Sequence, residues 1–351
     1  MTTQCSCPNT TAGVLPEKRS LPVTASHPDD AMHLLLPGMR RLGFGCGDLY
    51  GGASRAQSVR LIETALDQGI QYFDLARLYG NGSAEAVMGS ILPRFRSRVI
   101  ITSKAGILPY SMLHAVKFKA RARKAIRLLG PIGRALVATP PPSAARFGAF
   151  GLRDLRRSVH RSLSDLRTGH LDVLLLHECT VADAVRPEVI DFLERLRAQG
   201  KIRAFGIATH FPDTCRILEE APLVAQIAQF ASDASNRNIR RLPAGKADLV
   251  VTHTAIKQIL PRLTAYFAND AAAASRWRQR TGIAADDRAS IARLLLTDAV
   301  AENPDGIVLF STARPERVAE ACSLGRHSDE VMAALHDTIE QLRAAAPTAA
   351  G

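Results

Sequence analysis

The stretch QYFDLARLYG, residues 71–80, combines an apolar strand with two polar groups that a strand end does not require. Its first half predicts a short, buried β-strand. A carboxylate, Asp74, closes that strand, and a phenol, Tyr79, follows five residues later. One polar residue after an apolar strand is ordinary, so the meaning of this pair depends on how the other strands of the chain end.

Seven further segments have the same apolar character and alternate with helical patterns. The eight predicted strands comprise residues 40–45, 70–74, 98–104, 171–177, 202–209, 224–230, 248–254 and 306–312. Between most of them, apolar residues recur at i, i+3, i+4 and i+7, the spacing of amphipathic helices. Eight strands alternating with helices are typical of a barrel of parallel strands, so we predict an α/β fold of the (β/α)8 TIM-barrel class.

Two stretches set the predicted domain boundaries. Residues 1–35 are rich in Thr, Ser and Pro without periodicity, which predicts a disordered leader before a single barrel domain of residues 36–345 and a tail of residues 346–351. Residues 105–150 separate the third strand from its helix. Because a median connection is only about 4–6 residues long, we interpret this segment as a long insertion after strand 3.

The charge of the chain indicates its partners only in part. The net charge is +12, and residues 117–134 of the insertion hold seven basic residues and no acidic one. Such a run is typical of a surface for nucleic acid, anionic lipid or a phosphorylated ligand, but also of a solvated helix. No zinc-finger spacing or aromatic-rich signature accompanies it, so a nucleic-acid partner is not favoured.

Cysteine usage and hydropathy indicate the location. The six cysteines include no C-x-x-C pair, so no metal site is predicted, and free thiols fit a reducing compartment. No apolar run of about 18 residues is present for a membrane span, and the N-terminal residues lack the apolar core of a signal peptide. We therefore expect a cytoplasmic protein.

Ionisable residues close three of the predicted strands: Asp74, Lys104 and His177. In a TIM barrel the carboxyl ends of the strands face the active site, so these side chains should converge there. A buried Lys104 needs a counter-ion, which Asp74 supplies from the neighbouring strand. The ammonium would lower the pKa of Tyr79 and make it a tunable acid or base. His177 would hold a substrate carbonyl against that phenol.

These residues and the segments around them resemble the aldo-keto reductase family of (β/α)8 NADPH-dependent carbonyl reductases. The resemblance runs from residue 42 to 321, and its motifs are FDLARLYGNGSAEAVMGSIL (73–92), VIITSK (99–104), LDVLLLH (171–177), GKIRAFGIAT (200–209) and STARPERVAEA (311–321). It implies a catalytic tetrad in which Tyr79 is the general acid, Asp74 and Lys104 tune it, and His177 orients the substrate. Hydride would come from the nicotinamide C4 atom and the proton from Tyr79.

The resemblance also implies a nicotinamide site, although this chain departs from the family there. Thr209 and His210 stand where the family has Ser-Asn against the carboxamide. Gln226 and Gln229 are both candidates for the carboxamide-binding glutamine, and the spacing from Thr209 favours Gln229. His253 replaces the tyrosine that stacks on the nicotinamide ring.

The last motif matches the family's site for the 2′-phosphate of NADPH. Ser311, Thr312 and Arg317 align with its donors, and Arg314 could assist through a bidentate contact. The resemblance therefore implies NADP as the cofactor, with NAD as the alternative, and a small carbonyl compound or sugar as the substrate. The altered nicotinamide positions leave a second function open, that of a catalytically weak, cofactor-binding regulatory or redox-sensing protein. The oligomeric state is left open.

Overall fold

A computed structural model gives the fold of the protein. The residues that it describes are 38–109, 145–243, 245 and 247–344. The predicted leader, the basic run of residues 117–134 and the predicted tail lie outside these residues, so the proposed domain boundaries stay predictions.

Eight parallel strands form a closed barrel in which each strand pairs with its neighbours in sequence order. The strands are β1 (Leu42–Gly45), β2 (Tyr72–Asp74), β3 (Ile100–Ala105), β4 (Leu171–His177), β5 (Ile202–Ala208), β6 (Ile227–Ala231), β7 (Leu249–His253) and β8 (Ile307–Phe310). The pairing of Leu42 in β1 with Val308 in β8 closes the barrel. The (β/α)8 fold predicted from the sequence is confirmed, and each strand overlaps its predicted range.

Helices follow the strands and cover the outside of the barrel. Within the described residues they are α1 (Arg55–Asp67), α2 (Tyr79–Gly82), α3 (Ala84–Gly89), α4 (Leu152–Leu166), α5 (Val181–Ala184), α6 (Pro187–Ala198), α7 (Phe211–Glu220), α8 (Ile259–Asn269), α9 (Ala271–Thr281), α10 (Arg288–Glu302), α11 (Pro315–Cys322) and α12 (Asp329–Ala344). The apolar residues whose spacing predicted the helices are also the ones that pack against the rest of the protein. In α4, for example, Leu155, Val159 and Leu166 are buried. In this part of the chain, no helix is long and apolar enough to cross a membrane.

The strands bury both of their faces, and the two faces have different partners. Alternate residues such as Tyr72, Val173 and Leu175 pack against one another inside the barrel. Their neighbours, such as Phe73 and Leu174, pack against the surrounding helices. Because side chains alternate along a strand, the residue two positions after an interior residue also faces the interior. This alternation turns the last residue of β2, Asp74, toward the barrel axis.

The two described ends of the insertion after β3 lie side by side. Leu108 and Arg146 form an antiparallel bridge, in which each backbone N–H donates to the other residue's carbonyl at 2.9 and 3.0 Å. Gly106, whose φ of +120° lies in the left-handed region, packs so tightly on Phe150 that a Cβ atom there would stand 2.3 Å from the ring. The described ends of the insertion are therefore anchored on the rim of the barrel.

Helices α8, α9, α10 and α12 form a second apolar layer outside the barrel. Trp277 on α9, the only tryptophan of the chain, is 1% exposed. It packs against Phe267 of α8 with ring centroids 5.3 Å apart. Trp277 therefore belongs to the apolar core that these helices share.

Candidate active site

Lys104, Asp74 and Tyr79 form one hydrogen-bonded cluster at the carboxyl ends of β2 and β3. Lys104 Nζ donates to Asp74 Oδ1 at 2.6 Å, to the Leu75 carbonyl at 3.1 Å and to Tyr79 Oη at 3.1 Å. The Tyr79 hydroxyl lies 3.4 Å from Asp74 Oδ2. Lys104 and Asp74 are each 2% exposed. The ammonium therefore has both a counter-ion and a phenol within hydrogen-bonding reach.

The acid–base properties of this cluster depend on burial as much as on charge. Burial raises the pKa of Tyr79, Lys104 lowers it and Asp74 raises it, so that the net pKa is about 12. The sequence predicted the lowering by Lys104, but it did not predict that burial would outweigh it. Burial alone would lower the pKa of Lys104, yet Asp74 and Tyr79 raise it above its ordinary value. Both groups are therefore protonated at neutral pH.

His177 ends β4 beside the phenol. The ring centroids of His177 and Tyr79 are 6.3 Å apart and the two planes are perpendicular. Burial, followed by the charges of Lys104 and His253, lowers the pKa of His177 to about 3. The imidazole is thus neutral at physiological pH, and it can donate one hydrogen bond and accept another.

A tight turn positions the phenol. Gly80 has a φ of +57°, and a Cβ atom at this residue would stand 1.9 Å from the Leu49 carbonyl oxygen. The Ser83 hydroxyl donates to the Gly80 carbonyl at 2.5 Å and accepts from the Gly51 N–H at 2.9 Å. Only glycine fits here without strain, because it lacks the side chain that would meet the β1 loop.

A cavity of about 540 Å³ opens above the cluster. This volume lies within the range of about 300–1,000 Å³ that is usual for small-molecule and cofactor sites. Among the residues that line it are Asp74, Tyr79, Gln229, His253 and Ser311. The carboxyl ends of strands far apart in sequence therefore meet at one cavity.

Gln229 has an unusual environment in this cavity. It lies in β6 and is 3% exposed, yet its Oε1 atom has no hydrogen-bond partner among the described residues. Gln226 instead precedes β6, and its backbone carbonyl accepts from Asp248 at 2.8 Å. The structure thus brings Gln229 to the site and not Gln226, in line with the preference drawn from spacing. A buried, unpaired carbonyl is costly, so a ligand that donates to it would be favoured.

Thr209 and His210, the predicted cofactor residues that follow β5, lie outside this cavity. Thr209 follows β5, and its hydroxyl stands 2.7 Å from that of Thr214 on α7. The ring of His210 is largely exposed and lies 3.5 Å from the carboxylate of Glu178. The alternation along β5 accounts for the position of Thr209, since Ala208 faces the interior and the next residue turns toward the helices.

His253 is held in place by a strained neighbour. His253 Nδ1 lies 2.6 Å from Thr254 Oγ1, and Thr254 has a φ of +75°. A β-branched residue rarely adopts this left-handed conformation, which costs about 1–3 kcal/mol. Burial lowers the pKa of His253 to about 4, with Asp74 raising it and Lys104 lowering it. The ring is therefore neutral, and its orientation is constrained.

A second cavity, of about 180 Å³, continues from the first. The two cavities share the lining residues Ile256, Leu296, Phe310 and Ser311. The second one is further lined by Thr312 and Arg317, and their assignment to a phosphate site stays a prediction. Arg314 lines neither cavity; it is the residue before the first turn of α11, and its backbone N–H donates to Thr312 Oγ1 at 3.1 Å.

Three basic residues at these cavities were not anticipated from the sequence. Arg288 and Arg293 of α10 line the second cavity, and Lys257 lines the first. Lys257 follows the end of β7 by four residues, so its place on the rim could have been inferred from the barrel alone. The two arginines lie in a segment that the sequence identifies only as an amphipathic helix.

Comparison with known proteins agrees with this architecture. Residues 41–239 match the model of the aldo/keto reductase family. Pyridoxal 4-dehydrogenase of Microbacterium luteolum is 31% identical over 200 residues, which cover 50% of this chain and 53% of the relative. The chain spans about half the length of the curated relatives that it matches first.

Solved structures show the same fold at low sequence identity. A glycerol dehydrogenase of Gluconobacter oxydans aligns with a TM-score of 0.63 and 20% identity, over 89% of this chain and 95% of that one. An aldo-keto reductase of Klebsiella pneumoniae, solved in complex with NADPH, aligns with a TM-score of 0.59 and 20% identity over 89% and 94%. Because the family model alone covers more than half of the chain, the protein belongs to the aldo/keto reductase family, as the motif around Tyr79 predicted.

Proposed function

We propose that the protein is an NADP-dependent oxidoreductase that reduces a small carbonyl compound or sugar to the alcohol. The observation that carries this proposal is the position of Lys104 Nζ, 2.6 Å from Asp74 and 3.1 Å from the Tyr79 hydroxyl, beneath the large cavity. A phenol that lies beside a buried ammonium can release its proton, because the ammonium then stabilises the phenolate. The names of the curated relatives, which are dehydrogenases, reductases and oxidoreductases, support the same class.

Each residue of the cluster has a part in the proposed reduction. When bound, the reduced nicotinamide supplies the hydride that adds to the carbonyl carbon. Tyr79, protonated at neutral pH, gives its proton to the carbonyl oxygen, and Lys104 stabilises the phenolate that remains. Asp74 keeps Lys104 charged in a buried site. Neutral His177 donates a hydrogen bond to the carbonyl oxygen and aligns it with the phenol.

The cavities suit a dinucleotide with an extra phosphate. The unpaired Oε1 atom of Gln229 can accept a hydrogen bond from a carboxamide, which would relieve its buried, unsatisfied state. Three arginines, Arg288, Arg293 and Arg317, line the second cavity together with one acidic residue, Glu320. Guanidinium groups bind phosphate strongly and often through two parallel hydrogen bonds, so NADP is favoured over NAD.

The test is NADPH oxidation over a panel of aldehydes, ketones and sugars, with the wild type and Tyr79→Phe. We expect the wild type to turn over at least one class and the variant to lose about 10²–10⁴-fold in kcat, because only the proton donor is removed. The Kd for NADPH, measured by the quenching of coenzyme fluorescence, should be the same for both proteins. Equal rates for the two proteins would exclude the proposed chemistry. Tight NADPH binding without turnover of any substrate would favour the regulatory or redox-sensing alternative.

A further inference from the structure

Arg77 lies two residues before Tyr79 and does not contact the cavity, yet it is only 8% exposed. Its Nη1 atom bonds to the carboxylate of Glu85 on α3 and to Asp165 Oδ2 on α4, the latter at 3.0 Å. Charged side chains are rarely buried unless they are paired. One guanidinium between two carboxylates thus ties the turn that carries Tyr79 to two helices.

Glu85 extends this connection to the strand that carries Lys104. It is 1% exposed, and its second oxygen, Oε1, accepts from the Ser103 hydroxyl at 2.6 Å. Ser103 directly precedes Lys104 in β3, and the alternation of the strand turns Ser103 toward the helices while Lys104 faces the interior. The chain Arg77–Glu85–Ser103 therefore joins the Tyr79 turn to β3 on the outer side of the barrel wall.

The Tyr79 turn needs such support because its backbone is unfavourable. Gly80 and Asn81 follow each other with φ values of +57° and +55°. Asn81 in the left-handed region costs energy that the surroundings must compensate. The contact between Tyr79 Oη and Lys104 Nζ spans 3.1 Å between two separate elements. A displacement of about 1 Å in such a contact can lower a rate by about 100-fold.

We propose that Arg77 and Glu85 are positioning residues, which hold the Tyr79 hydroxyl against Lys104 through the chain Arg77–Glu85–Ser103. This inference rests on the proposed function, in which Tyr79 donates the proton. Neither residue touches substrate or cofactor in this role. Their effect on turnover passes through the distance between Tyr79 and Lys104.

The test compares Arg77→Met with Arg96→Met in the full-length protein. Arg96 is a matched control, because it forms an ion pair with buried Asp172 at 2.8 Å near the opposite, amino-terminal end of the strands, and its own side chain is partly buried. We expect Arg77→Met to lower kcat by about 10–100-fold while the Kd for NADPH stays within about twofold. Arg96→Met should lose stability but keep its kcat. Arg77→Lys, which restores the charge, should recover part of the lost kcat.

A second measurement reads the position of Tyr79 without turnover. In protein labelled with 13C at the ζ-carbon of tyrosine, the Tyr79 resonance is one of five and is assigned by its loss in Tyr79→Phe. We expect it to shift in Arg77→Met and to stay in place in Arg96→Met. If the wild type reduces no substrate, the proposed function fails and this resonance still decides the positioning role. An unmoved resonance in Arg77→Met, or an equal fall of kcat in both variants, would overturn the inference. If Arg77→Met does not fold, Glu85→Gln, which keeps the side-chain shape, takes its place with the same expected outcomes.

Discussion

Lys104 Nζ lies 2.6 Å from Asp74 Oδ1 inside the barrel, and both side chains are buried. A buried ion pair is not a strong source of stability in itself, because each charge loses its hydration. Its consequence here is chemical, since the pair places a permanent positive charge against the Tyr79 hydroxyl. Removing either partner would leave the other charge buried and alone.

The first prediction concerns that pair. Asp74→Asn should lower the free energy of unfolding by about 3 kcal/mol, because it leaves the Lys104 ammonium without a counter-ion. Urea unfolding at pH 7 measures the change. Asp154→Asn is the control, because its partner Arg146 is 62% exposed and an exposed pair contributes less than about 1 kcal/mol. Similar losses in the two variants would show that Asp74 is not the essential counter-ion.

The second prediction concerns the stability of the fold at acid pH. The pKa of His177 is lowered to about 3, mainly by burial, against about 6.5 for an unperturbed histidine. Between these values the unfolded chain binds a proton that the folded protein does not. The contribution of His177 to stability is therefore complete above about pH 6.5 and is lost as the pH falls toward 3, by up to about 1.4 kcal/mol per pH unit.

Unfolding free energies of the wild type and His177→Asn between about pH 9 and pH 4 test this prediction. The variant should lose less stability on acidification, whereas the two proteins should respond alike above about pH 7.5. Parallel curves over the whole range would mean that His177 is not buried in its neutral form.

The third prediction concerns the turn before α3. Gly80→Ala should cost about 3 kcal/mol, since a left-handed φ is combined with a Cβ atom 1.9 Å from the Leu49 carbonyl oxygen. Gly282→Ala is the matched control, with a φ of +69° and, in the part of the chain that the structure describes, no atom within 4 Å of the added carbon. It should cost only about 1 kcal/mol. Thermal unfolding measures the loss of stability in both variants. The difference between them is the cost of the clash with Leu49, because the strain of a left-handed φ is common to both.

The fourth prediction concerns Gln229 and has opposite signs in two assays. Gln229→Leu should stabilise the ligand-free protein by about 1 kcal/mol, because it removes a buried carbonyl oxygen that has no partner among the described residues. It should also weaken NADPH binding about tenfold, because the proposed acceptor for the carboxamide is lost. Urea unfolding and coenzyme fluorescence measure the two effects. A variant that is destabilised and binds NADPH normally would disprove this role of Gln229.

The fifth prediction concerns cofactor preference. Arg317 lines the second cavity, whereas Arg314 does not. Arg317→Ala should therefore weaken NADPH binding about 10–100-fold, the effect of losing a charge-assisted hydrogen bond to phosphate, and leave NADH binding nearly unchanged. Arg314→Ala should alter neither. Equal losses for NADPH and NADH in Arg317→Ala would place the 2′-phosphate elsewhere.

Much of the active-site cluster could be predicted from the chain itself. Asp74, Lys104 and His177 each end an apolar run, and the carboxyl ends of parallel strands meet at one end of a barrel. The period-two alternation then fixes which side chains face inward. Thr209 was assigned from the family resemblance and not from this argument; it lies one residue beyond the inward-facing Ala208, and its hydroxyl pairs with that of Thr214.

Residues on helices were harder to predict. Arg288 and Arg293 reach the second cavity from α10, which the sequence identifies only by its apolar spacing. Arg77 and Glu85 meet only because the turn before α3 folds back on that helix. Helical periodicity shows which face is buried, but it does not show what that face meets.

The sequence by itself determined the barrel and the convergence of Asp74, Tyr79, Lys104 and His177 near one end of it, because alternating apolar patterns and strand ends are local properties of the chain. The tertiary structure alone decided that the pKa of Tyr79 is about 12. It also decided that three arginines line one cavity, which adjoins the cavity of the active site. Burial and the distances between charges are sums over residues far apart in sequence, and a local pattern contains neither.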